Sequence, residues 1–148
     1  SVSLPTRRSR VQVPLPAPDY SDLFSNSIIL FFIYIIFMED LASKKCVPCE
    51  GGIPAFDIKE IHKYLKKIDG WEVLSDGDNN YYIEKNFKFT NYIGSEKFVI
   101  NVGKIAEMEG HHPDINFGWG YAKIKISTHA IKGLAESDFV LAAKIDKI

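Results

Sequence analysis

Between Asp57 and Ile148 the apolar residues of this chain recur first at helical spacing, then at strand spacing, and the change of period repeats. Ile58, Ile61, Leu65 and Ile68 predict a helix over Asp57–Ile68, opened by a capping box of Asp57 with Glu60 and closed by Gly70. Trp71–Leu74 is a short predicted strand, and the polar turn Ser75–Asn80 leads into a second, Tyr81–Phe89. In that second strand Tyr81, Ile83, Phe87 and Phe89 share one face, and Tyr82, Glu84, Asn86 and Lys88 the other. Thr90 or Asn91 then caps a long helix whose core stripe is Phe98, Val102 and Ile105, widened by Val99 and Ala106, and which Gly110 stops after Glu109. A third strand over Ile115–Phe117 turns through Gly118 and Gly120 into a fourth, Tyr121–Thr128. There Ala122, Ile124 and Ile126 alternate with Tyr121, Lys123, Lys125 and Ser127. A last helix, Leu134–Asp146, directs Leu141, Ala142 and Ile145 inward.

Hairpins on short turns make the sheet antiparallel, and helices with one apolar stripe each cover one face of it. The expected fold is α+β, a two-layer sandwich of a four-stranded antiparallel sheet with three helices on one face, in the order α-β-β-α-β-β-α. The open face and free edges of such a sheet lead us to expect an oligomer.

Upstream the pattern differs. Ser1–Pro18 carries Arg7, Arg8 and Arg10 with no acid, and Ile28–Met38 runs IILFFIYIIFM. Eleven apolar residues fall short of the ~20 that span a bilayer, although basic-then-apolar order resembles a secretory leader. Met38-Glu39-Asp40 puts acids where a small-residue cleavage site belongs. Residues 1–37 are therefore read as a leader, a targeting segment or non-native upstream sequence, ahead of a flexible arm, 38–55, and a domain, 56–148. No membrane is expected for residues 38–148, and the cytoplasm is the expected compartment, or an organelle if 1–37 is a genuine leader.

The 148 residues include 18 Lys and Arg against 19 Asp and Glu, with 46% hydrophobic and 25% charged. That balance excludes a disordered chain and a polybasic nucleic-acid binder. Cys46 and Cys49 are the only cysteines, too few for a four-ligand zinc site, and Pro48, Gly51, Gly52 and Pro54 around them mark an irregular arm. We read them as reduced thiols.

Three of the four histidines cluster in two segments, His111 and His112 in EMEGHHPDINFGW and His129 in STHAI. Pro113 pushes His112 into extended backbone, and Glu107, four residues before His111, has the spacing to fix an imidazole tautomer. Imidazoles titrate near ~6.5 and exchange protons at neutral pH. Nucleophile elbow, phosphate loop and zinc-protease helix motifs are all missing. Acid–base catalysis, a three-His metal site completed by Glu107 or Asp138, and a structural role all remain open on spacing alone. His62, on the first helix, reads as a surface or packing residue.

Glu107, His111-His112-Pro113, Trp119, His129 and Asp138, at these intervals, resemble the signature of pterin-4a-carbinolamine dehydratases over roughly Phe56–Asp146. The resemblance implies a hydro-lyase that converts 4a-hydroxytetrahydrobiopterin to quinonoid dihydrobiopterin and water, in recycling of the pterin used by aromatic amino acid hydroxylases. It implies no cofactor and no metal. Carried over by position, His111 and His129 are the principal acid–base pair, His112 helps bind and position the pterin, and Glu107 orients a histidine. Gly110, Pro113, Trp119, Ser127, Thr128 and Ala130 join the histidines in substrate contact, and Asp138 supports the site. A homodimer or homotetramer is expected, and the alternative activity is that of a binding protein, a transcriptional dimerisation cofactor or assembly factor. One departure stands out: members commonly have Ser or Thr at Ala135, where a hydroxyl caps the last helix, so the start of that helix is in question.

Overall fold

A computed structural model describes residues 40–47, 54–77 and 80–148. The chain divides into two units, Ser1–Met38 and Glu39–Ile148, and every described residue belongs to the second. The expectations for residues 1–37, and for Cys49, lie outside the described residues.

Helix α1 (Ile58–Leu65) is capped by Asp57, whose carboxylate accepts from the Glu60 N–H at 2.8 Å. It ends three residues before the predicted Ile68, which still packs against the core from the following turn. Strands β1 (Glu72–Ser75) and β2 (Tyr81–Lys88) pair antiparallel, with Val73 opposite Ile83. Helix α2 (Tyr92–Glu109) starts on Asn91, whose side-chain oxygen accepts from the Gly94 N–H at 2.8 Å. Strands β3 (Asp114–Gly118) and β4 (Tyr121–Ile126) form the second hairpin. Helix α3 (Glu136–Ile145) closes the domain.

The sheet order is β1-β2-β4-β3, all antiparallel, so the two hairpins join through β2 and β4 with Ile83 opposite Ile126 and Phe87 opposite Ala122. Period-two alternation sends Ile83, Ala122, Ile124 and Ile126 to one face, where they meet Ile61 of α1, Phe98 and Val102 of α2, and Phe139 and Leu141 of α3. Burying each large aliphatic or aromatic side chain of this cluster contributes about 1.5–3 kcal/mol. Lys85 also falls on the inward register of β2. Its ammonium stays polar-satisfied by reaching Asp146 Oδ1 at 2.7 Å and the Asp69 carbonyl at 2.6 Å, and Asp146 also accepts from the Trp71 indole N–H.

Three expectations are corrected. The last helix begins at Glu136, because the Leu134 carbonyl is engaged by the Phe56 N–H at 2.8 Å and Thr128 and Gly133 form a β-bridge ahead of it. That helix is also buried on nearly all sides, from Ser137 through Ala143 and at Ile145, and not only along Leu141, Ala142 and Ile145. The described part of the arm is docked, where flexibility was expected. A 3-10 turn, Leu41–Ser43, places Leu41 at 2% exposure in the core, and Lys44 and Val47 reach Glu136 and Ser137 of α3 while Asp40 reaches Lys147 just beyond it. Polar spacing around one buried leucine hid that contact from periodicity.

Candidate active site

The turn that ends α2 directs the first histidine. Gly110 adopts φ 62°, a left-handed conformation that glycine reaches without Cβ strain, and its N–H bonds the Ala106 and Glu107 carbonyls. The next amide, His111 N–H, donates back to the Ala106 carbonyl at 3.1 Å, completing a Schellman-type ending. Reversal at Gly110 carries His111 away from the helix face of Glu107 and towards α3. There His111 Nε2 lies 2.8 Å from Asp138 Oδ1.

Asp138 is fully buried, 0% exposed, in the first turn of α3. Its second oxygen, Oδ2, accepts from the Thr128 hydroxyl at 2.9 Å and from the Ala135 N–H at 2.7 Å. A buried carboxylate with three donors and a helix N-terminus beside it is held in its acceptor role. His111 must then present its proton on Nε2, which leaves Nδ1 with the lone pair. Ala135 is the N-cap, and an alanine side chain has no acceptor, so only the returning half of a capping box exists here, from Asp138 to the cap's own amide. Ser137, considered as a shifted cap, instead donates to the Val47 carbonyl of the arm at 2.8 Å.

Glu107 pairs with His112, at 3.0 Å, and not with His111 as helical spacing suggested. Both side chains are open to solvent, 65% exposed for His112 and 83% for Glu107.

His129 opens a 3-10 turn, His129–Ile131, inside a loop closed by the Thr128 and Gly133 bridge. Gly133 is required by close approach, since a Cβ there would lie 2.8 Å from that of Ala55. The His129 imidazole makes no hydrogen bond to another described residue, while its backbone carbonyl accepts from the Lys132 N–H. With Ser127 and Thr128 it lines a cleft of about 320 Å³, whose other walls are Tyr81 and Tyr82 of β2, Asp76 and Asn80 of the first hairpin turn, Lys125 of β4, and Lys132 and Gly133. The β2 tyrosines were missed from sequence. They enter because Ile83 pairs with Ile126, which sets the start of β2 beside the end of β4. Strand register between non-consecutive strands was the missing signal.

The structure thus joins His111, Asp138 and Thr128 by hydrogen bonds, and sets His129 next to Thr128 in the cleft. Gly110 and Pro113 flank the two adjacent histidines, and Ala130 is exposed beside His129. Trp119 stands apart: it is 73% exposed in the β3–β4 turn, at the opposite end of the ladder from the Asp114–Lys125 pair. Five paired residues correspond to roughly 13 Å of strand. The described residues contain no group of three or more His, Cys, Asp or Glu side chains placed to hold a metal ion, and His111 and His112 are directed to two different carboxylates. His62 bonds its own helix, Nδ1 lying 2.7 Å from the Ile58 carbonyl.

A four-stranded α+β sandwich with a part-buried histidine on a buried carboxylate beside a cleft, and a second histidine in that cleft, is the frame of a small-molecule acid–base protein. Residues 54–148 match the family model for pterin 4 alpha carbinolamine dehydratase. Relatives bearing that family name include proteins of Azoarcus sp. (strain BH72), 45% identical over 111 residues that cover 75% of this chain and 92% of the relative, and of Rubrobacter xylanophilus, 45% identical with 75% and 100% covered. The crystal structure of a transcriptional coactivator/pterin dehydratase from Brucella melitensis is similar in fold, with a TM-score of 0.57 and 26% identity over 63% of this chain and 96% of that one. This chain belongs to the pterin-4a-carbinolamine dehydratase family, hydro-lyases that dehydrate 4a-hydroxytetrahydrobiopterin.

Proposed function

We propose that the chain carries out this dehydration with imidazoles as its proton carriers. His129, whose imidazole is in the cleft without a hydrogen bond to another described residue, protonates the hydroxyl leaving C4a, which departs as water. His111 Nδ1 accepts the N5 proton, and the electron pair of the N5–H bond forms the new C4a–N5 double bond. One proton given and one taken leaves the enzyme's charge unchanged over the cycle. Asp138 fixes the His111 tautomer and ring orientation, while the exposed His112 and Glu107 position the pterin, with Gly110, Pro113, Ser127, Thr128 and Ala130 as contacts. The observation that carries this reading is the run of hydrogen bonds from His111 through Asp138 to Thr128, the neighbour of His129. No step in it calls on a metal or cofactor.

The test is stopped-flow dehydration of enzymatically generated 4a-hydroxytetrahydrobiopterin with and without chelator. A rate above the spontaneous one and indifferent to chelator supports the proposal. A rate equal to the spontaneous one favours a binding protein built on this fold.

The same proposal includes a homodimer or homotetramer. Ile93, Ile100 and Met108 are exposed on α2, and β3 is an edge of the sheet among the described residues. Light scattering on the purified chain checks it, and a monomer at working concentration contradicts it. A supply of substrate by an aromatic amino acid hydroxylase, and a cytoplasmic location consistent with the free thiol of Cys46, complete the reading. Among the described residues no helix is long and apolar enough to cross a membrane.

A further inference from the structure

Lys132 is the one non-glycine residue with positive φ among the described residues, at φ 51° and ψ 50°. Left-handed backbone costs a lysine about 1 kcal/mol or more that glycine avoids, and such outliers concentrate where a side chain is needed in place. The loop that holds it is over-determined. Thr128 and Gly133 exchange both backbone hydrogen bonds, and Lys132 N–H donates to the His129 carbonyl at 3.2 Å. His129 and Lys132 therefore sit three residues apart on one closed turn, and both line the cleft.

A second ammonium faces the same cleft. Lys125 lies over the Tyr82 ring, 4.3 Å from its centroid, and neither it nor Lys132 forms an ion pair with a described residue. Glu84, opposite Lys125 in the sheet, is drawn to Lys123 at 3.0 Å; Asp114 is the cross-strand neighbour of Lys125 on the other side; among the described residues Asp76 is the one carboxylate in the cleft wall. Among the described lining residues two ammonium groups stand against one carboxylate, so that part of the wall is net cationic beside His129. A pterin ring is neutral, so ring binding alone makes no use of that charge.

We propose that Lys125 and Lys132 form an anion subsite at this cleft, and that the preferred ligand is a pterin whose C6 side chain ends in a phosphate or carboxylate. The inference rests on the pterin reading above and adds the class of side chain to it. Lys132 is held in its strained conformation where its ammonium can meet that terminal anion, and Lys125 supplies the second donor from the strand.

The test is equilibrium binding of three fluorescent oxidised pterins to the full chain: biopterin, which is neutral, neopterin monophosphate and pterin-6-carboxylate. We expect one or both anionic ligands to bind about tenfold tighter than biopterin, a preference that shrinks several-fold between low and high salt. The phosphate and carboxylate arms separate the two sources of charge. Lys132→Gly keeps the left-handed backbone without strain and removes the ammonium, and Lys125→Gln removes the other, so the combined variant should bind all three ligands alike. Equal affinities in the wild type, or a preference that survives both substitutions, overturn the subsite even where the dehydration assay succeeds. Failure of every pterin to bind overturns both readings.

Discussion

Asp138 holds His111 from 27 residues away, Oδ1 to Nε2 at 2.8 Å, while its other oxygen ties Thr128 and the Ala135 amide to the start of α3. One buried carboxylate therefore serves both a candidate proton carrier and a helix terminus. Asp138→Asn replaces an acceptor by a donor against Thr128 or His111 and leaves buried groups mismatched. The expected cost is about 2–4 kcal/mol of stability, read by urea denaturation, together with a tenfold or greater loss in kcat. A variant as stable and active as wild type contradicts the assignment. Glu107→Gln is the contrast, because its pair with His112 is exposed: stability should change by less than ~0.5 kcal/mol.

Ala135→Ser restores the missing acceptor at the α3 N-cap. The backbone there is already extended, φ −133° and ψ 177°, and the returning bond from Asp138 is in place. A hydroxyl accepting from the Asp138 amide should stabilise the fold by about 0.5–1 kcal/mol, seen as a higher midpoint in thermal or urea unfolding. A lower midpoint would show that the buried site has no room for the oxygen.

The arm is pinned by Glu109, whose carboxylate accepts from the Cys46 N–H at 2.9 Å and pairs with Lys144. The bond from Lys144 first, then the Cys46 amide, holds the Glu109 carboxyl below its ordinary range. A depressed folded pKa stabilises docking above the unfolded value, about 4.3, and that contribution is lost as pH falls through the folded one. Hydrogen exchange or proteolysis of residues 40–47 should therefore accelerate in acid below about pH 4, and Glu109→Gln should flatten the dependence. Arm opening that ignores pH in the wild type contradicts this.

Cys46 reports on the same contact. Burial first, and Glu109 after it, push its thiol up to about 12, so in Cys49→Ser, where it is the sole thiol, alkylation near pH 8 should be far slower than for a free thiol. Leu41→Ala, which removes a core side chain from the arm, should cost about 2–4 kcal/mol and restore reactivity. Fast alkylation before that substitution would contradict the docked arm.

These contacts mark what the sequence could and could not reveal. Asn91 and Gly110 announced both ends of α2, and the alternation of Ala122, Ile124 and Ile126 announced the inner face of β4, because caps and strand period are local. The identity of the histidine that Glu107 meets was not local in that sense. A left-handed Gly110 rotates the chain, so helical spacing ceased to apply one residue before His111. Lys85 on an inward position, the tyrosines of the cleft and the docking of Leu41 all depend on tertiary partners far along the chain. Asp138 was placed as a support by family resemblance, and its partner emerged only from the packing of α3 against the end of α2.

The claim that imidazoles carry the protons is tested most directly by single-turnover dehydration of 4a-hydroxytetrahydrobiopterin across pH 5–9 with wild type, His129→Ala and His111→Ala. The expected result is a loss of about 100-fold or more for each substitution, with folding confirmed by circular dichroism. Two folded single variants that dehydrate the substrate at the wild-type rate would contradict the account.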